Sequence, residues 1–90
     1  MTEKLVKIRN KLGIHARPAA LFVQLASKYT SDVFLELGDE RINGKSIMGV
    51  MMLAAGANTI VKIIADGNDE NEAIDALEKL FNEGFGEEYA

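Results

Sequence analysis

The sequence predicts an α+β domain in which one sheet is backed by helices. Three observations lead there. Apolar residues alternate in the strand-like stretches and recur at three- and four-residue steps in the helical ones, giving the order β-α-β-β-α-β-α. The elements are too short and too mixed for a doubly wound parallel sheet. Ninety residues with 48% hydrophobic content and no cysteine make one unit, residues 1–90, held by an ordinary apolar core without disulfides or thiolate-bound metal.

Each element has its own signature. In KLVKIRN, Val6 and Ile8 alternate with Leu5, Lys7 and Arg9, the pattern of a half-buried first strand. From Pro18 to Tyr29, Ala19, Phe22, Val23, Ala26 and Tyr29 form one helical stripe, while Ala20, Gln24 and Ser27 face elsewhere. DVFLELGDERIN places Val33, Leu35 and Leu37 on one side, turns at Gly38 and Asp39, and returns through Ile42 as a hairpin. Ser46 then precedes a short helix in IMGVMMLAAG, which Gly56 is expected to end. TIVKIIAD alternates Val61, Ile63 and Ala65 against Ile60, Lys62 and Asp66 as a fourth strand. Asp69 with Glu72 makes a capping-box-like start to a last helix, whose stripe is Ala73, Leu77, Leu80 and Phe81. Beyond Gly84 the acidic tail, NEGFGEEYA, is expected to fray, from about residue 85.

Charge is unevenly spread. Of 14 acidic and 10 basic residues, nine acidic and one basic fall in residues 66–90, so that segment carries −8 and residues 1–65 carry +4. The basic part suits electrostatic steering of acidic partners. A net charge of −4, with no interleaving of aromatic and basic residues, argues against nucleic acid. The N-terminus lacks the apolar run of a signal peptide, and no stretch approaches the roughly 20 apolar residues of a membrane helix. The expectation is a cytoplasmic, soluble chain without membrane insertion.

The only histidine and the only proline lie three positions apart in GIHARP. Pro18 is tolerated in the first turn of a helix and nowhere deeper. His15 and Ala16 then sit at the helix N-terminus, where unpaired N–H groups and a positive dipole end bind anions. Gly13 lets the chain turn, and the Arg17 guanidinium matches phosphate oxygens. The dipole and Arg17 disfavour a cationic imidazole, and a neutral imidazole is a nucleophile. Attack on a phosphoryl donor gives phosphohistidine at His15, with the Ala16 and Arg17 backbone N–H groups and the Arg17 side chain offsetting the charge. One histidine and no cysteine build no typical transition-metal site, so neither metal nor cofactor is expected.

GIHARPAALFVQLASKY, DVFLEL and KSIMGVMML, together with the element order, resemble the HPr family, the histidine-containing phosphocarriers of the bacterial phosphotransferase system. The resemblance runs over nearly the whole chain. It implies an open-faced β-sandwich, a four-stranded antiparallel sheet with three helices on one face. It further implies a relay of phosphoryl groups from phosphoenolpyruvate-charged enzyme I, through Nδ1 of His15, to the A domains of sugar permeases, with Arg17 stabilising the phosphate. The chain is then a carrier with a transient phosphohistidine rather than a turnover enzyme on its own. Leu12 departs from the pattern, since many relatives have a small polar residue beside the phosphate.

GKSIMG adds a second candidate. Ser46 resembles the regulatory serine that an ATP-dependent HPr kinase/phosphorylase modifies, and an N-cap hydroxyl sits where amide donors welcome a phosphate whose charge would repel acidic partners. The apolar residues of IMGVMML divide between core and surface. Ile47, Met48 and Met51 with Ala20 and Gln24 form a candidate docking patch, which methionine's adaptable side chain suits. Two further readings use the same residues: a regulatory module acting through phospho-Ser46 on a catabolite-control transcription factor, and a signalling carrier of the nitrogen branch. A monomer is expected because both functional faces must stay open.

Overall fold

A computed structural model describes all 90 residues. Its elements are β1 (Thr2–Lys7), α1 (Ala16–Ala26), β2 (Asp32–Leu37), β3 (Glu40–Asn43), α2 (Ile47–Met52), β4 (Ile60–Asp66) and α3 (Glu70–Asn82), followed by a short 3-10 turn at Gly84–Gly86. The order is the one that the periodicity predicts. The strands form one sheet in the order β1-β4-β2-β3, every pair antiparallel.

Alternation along the strands decides which face the three helices cover. Val6, Val33, Leu35, Val61, Ile63 and Ala65 point to one side and pack with Ala19, Phe22 and Ala26 of α1, Val50 of α2, and Ala73, Ile74, Leu77 and Phe81 of α3. Phe81 joins this core to the chain end, lying edge-on to Phe22 at 5.9 Å and to Phe85 at 4.9 Å. The opposite face is open. There Lys62 pairs with Glu3 and Glu36, Arg41 pairs with Glu36 at 3.0 Å, and the Arg41 guanidinium covers Phe34. Ile64, paired with Phe34 and Glu3, is buried in that outer layer.

Three local expectations give way to tertiary effects. Residue Gly56 does not end α2; the helix stops at Met52, and Ala54 takes the left-handed conformation at φ 50°. Asp69 starts α3 but builds no capping box. Its carboxylate instead accepts from the Thr30 and Ser31 N–H groups, at 2.8 and 2.9 Å, and from the Ser31 hydroxyl, tying the α1–β2 loop to the start of α3. The tail, expected to fray, is folded back against the domain. Phe85 is buried, Lys11 N–H donates to Glu88 O and Ala90 N–H to Arg9 O, each at 2.8 Å, and the Tyr89 hydroxyl donates to Asn82 O. Apolar burial of one aromatic side chain and these bonds act against the entropy of ordering the last residues.

Candidate functional site

The site is assembled where α1 begins. Gly13 adopts φ +70°, and a Cβ there would lie 2.6 Å from Ala55 O, so only glycine allows the chain to pass this close. Ile14 N–H donates to that same carbonyl at 2.9 Å and anchors the approach to the helix. His15 is the N-cap in an extended conformation (φ −117°) and makes no side-chain capping bond, while its carbonyl accepts from Ala19 N–H at 3.0 Å. Pro18, third in the helix, brings no N–H. The Ala16 and Arg17 N–H groups are therefore left at the open helix end beside the imidazole.

The ring has a partner that no local pattern foretells. Glu87, 72 positions away, places Oε1 at 3.0 Å from His15 Nε2. The same oxygen accepts from Asn10 Nδ2 at 3.0 Å, and Oε2 accepts from an Arg17 guanidinium nitrogen at 3.2 Å. That nitrogen donates also to Phe85 O at 2.8 Å. The His15 bond first, then those from Asn10 and Arg17, hold the Glu87 carboxyl below its ordinary carboxylate range against the opposing effect of burial. Asn10 is fully buried, and its Nδ2 donates to Gly13 O at 2.7 Å as well. Asn10 thus braces both the glycine turn and the carboxylate.

The charge asymmetry of the sequence is folded over on itself: the acidic end lies against the basic site. Lys11, Leu12, Glu87 and Glu88 line a cleft of about 420 Å³ beside it. Leu12 is 73% exposed there. The fold brings His15, Arg17 and the helix end together as the sequence expects, and adds Asn10, Phe85 and Glu87, which no local pattern marks. Glu87 lies in a segment whose local composition reads as solvated tail.

The other candidates sit around α2. Ser46 is its N-cap, half-buried, and its Oγ accepts from Gly49 N–H at 3.1 Å. Val50 and Leu53 enter the core, whereas Ile47, Met48 and Met51 are exposed, as is Gln24 of α1; Ala20 is half-buried. No helix is long and apolar enough to cross a membrane.

Known proteins match this architecture along its length. The family model described as "PTS HPr component phosphorylation site" matches residues 2–83. The chain is 49% identical over 87 residues to the phosphocarrier protein HPr of Neisseria meningitidis, covering 97% of this chain and 98% of that protein. Among solved structures, an HPr from Thermoanaerobacter tengcongensis superposes with a TM-score of 0.93 at 51% identity, covering 98% of this chain and 99% of that one. The structure of Bacillus subtilis Crh, described as a catabolite repression protein forming a swapped dimer, superposes with a TM-score of 0.76 at 50% identity, covering 93% and 97%. A helix start carrying the sole histidine, on an open-faced sandwich shared with these proteins, thus places the chain in the HPr family of phosphocarriers of the phosphotransferase system.

Proposed function

We propose that this chain accepts a phosphoryl group on His15 from phosphoenolpyruvate-charged enzyme I and passes it to the A domains of sugar permeases in the cytoplasm. One observation carries the reading: the imidazole stands at the N-terminus of an 11-residue helix whose Ala16 and Arg17 amides have no partner within the chain. These donors and the Arg17 guanidinium stabilise charge on the transferring phosphoryl group. Arg17 must then exchange its contacts with Phe85 O and Glu87 for the phosphate. The exposed Ile47, Met48 and Met51, with Gln24 and Ala20, supply the docking face for donor and acceptor in turn. The working form is a monomer, since one face meets both partners; light scattering decides between that and a dimer such as the Crh structure describes.

Likeness to Crh favours a second, regulatory layer at Ser46. Phosphorylation there by an ATP-dependent kinase sets phosphate oxygens beside Gly49 N–H, which the hydroxyl now engages, and puts a dianion at the edge of the docking face. That charge weakens contact with acidic partners and creates a feature for a catabolite-control transcription factor to recognise. The test of the carrier role is intact-mass analysis with site mapping, kept out of acid, after incubation with phosphoenolpyruvate, magnesium and enzyme I. A label on His15 that passes to a permease A domain, and is absent in His15→Ala, is expected. No label with active enzyme I would sink the reading.

A further inference from the structure

We infer that Glu87 is a positioning residue for phosphoryl transfer: it holds the proton of His15 on Nε2, leaves Nδ1 with the free lone pair, and faces the charge that the ring acquires. This rests on the carrier reading above. A carboxylate only accepts hydrogen bonds, so an Oε1···Nε2 separation of 3.0 Å requires the proton on Nε2. A neutral imidazole has one N–H, and Nδ1 is then the nucleophile. The arrangement is that of a carboxylate orienting a histidine through the nitrogen that does not react.

Glu87 is itself held from both sides. Before transfer Asn10 Nδ2 and Arg17 fix its two oxygens; once Arg17 turns to the phosphate, Asn10 still holds it, on a chain tied down by buried Phe85 and by the Lys11–Glu88 and Arg9–Ala90 backbone bonds. A side chain fixed by two hydrogen bonds on a backbone that is itself tied down orients its partner more strictly than a free tail would. In the forward step the Nδ1 lone pair forms the N–P bond, and the bond from phosphorus to the donor breaks with its electron pair returning to the donor. No proton leaves His15. The ring therefore becomes a phosphoimidazolium that retains Nε2–H, and the Glu87 carboxylate compensates its positive charge. In the onward step the N–P electrons return to Nδ1 and neutral imidazole departs, an easier leaving group than imidazolate. Glu87 thus keeps the phosphoryl group transferable.

A rival role for the same contact is a shutter, in which Glu87 occupies the phosphate's place on Arg17 and slows the reaction. The two differ in sign. The experiment uses the full chain as wild type, Glu87→Gln and Glu87→Leu, with enzyme I and a permease A domain. Proton and nitrogen NMR of the unphosphorylated proteins reads the Nε2–H directly, and single-turnover assays read acceptance and delivery. In the wild type the Nε2–H is expected to be protected from exchange, and in Glu87→Leu to exchange freely. Transfer should fall on the order of tenfold in Glu87→Leu, and less in Glu87→Gln, whose amide oxygen still accepts without the charge. Unchanged or faster transfer in Glu87→Leu, or an Nε2–H indifferent to the substitution, overturns the inference. Wild type that takes no phosphate fails the carrier reading instead, while the NMR measurement still decides whether Glu87 orients the ring.

Discussion

The first turns of α1 and α2 both begin from an extended N-cap and end in opposite states. His15 and Ser46 are both extended N-caps, with φ −117° and −115°. Ser46 turns its hydroxyl onto Gly49 N–H and closes its own helix. His15 caps nothing, so the first amides of α1 stay without a partner and the helix forgoes the stability that a capping side chain supplies. The difference teaches where binding capacity is kept: at the helix end whose side chain is committed elsewhere, here to Glu87. A phosphate on Ser46 would meet an amide already engaged by its own Oγ, whereas one on His15 would meet amides already free.

The strongest way to break this contrast is to make α1 like α2. His15→Ser should abolish phosphoryl acceptance completely while raising stability by about 0.5–1 kcal/mol through the new cap, measured by mass analysis and urea unfolding of one preparation. A loss of stability would refute the idea that α1 is under-capped. Next in size, Gly13→Ala places a methyl group against Ala55 O at a positive φ, and should cost roughly 2–3 kcal/mol. Because that turn sets the approach to His15, labelling at His15 should slow as well; a variant of native stability would show that the passage is looser than its geometry.

Smaller changes sharpen the comparison at α2. Ser46→Ala should cost about 1 kcal/mol in chemical unfolding and leave phosphorylation of His15 by enzyme I unaltered. Slower labelling would mean that the two helix ends are coupled. At the other end of α2, Ala54→Gly relieves a left-handed alanine and should gain about 0.5 kcal/mol after glycine's own entropy.

The third helix supplies the finest test, since Asp69 neither caps itself nor stays free. The Ser31 hydroxyl and the Thr30 amide, followed by the Ser31 amide, lower its carboxyl from 3.8 to about 2. A depressed carboxyl contributes stability that is present above its unfolded value and is lost as pH falls through the folded one. Acid titration of stability should show that loss between about pH 4 and pH 2, and Asp69→Asn should remove this part of the slope. Glu70, lowered to about 2 chiefly by the Thr2 hydroxyl, contributes over the same window and persists in that variant. An unchanged slope in Asp69→Asn would assign the whole acid sensitivity to other groups.

Local pattern carried much of this molecule. Period-two and period-3.6 spacing placed every strand and helix, and the lone proline beside the lone histidine marked the start of α1, because those signals depend on residues within one turn or one strand of each other. The HPr-like motif added the sheet's antiparallel order. Pattern failed where partners are distant in the chain. Asp69 has the spacing of a capping box, yet two amides and a hydroxyl from another loop outcompete it. GFGEEYA has the composition of a solvated tail, yet Phe85 finds Phe81 and Glu87 finds His15.

The sequence by itself determined the element order, the split between core and surface faces, and the chemistry available at His15. Tertiary structure decided which carboxylate meets that histidine and which of its ring nitrogens faces it. The physical reason is range: periodicity and capping act over a few residues, while the Glu87 contact exists only after the sheet, α3 and the buried Phe85 have brought the two ends of the chain together.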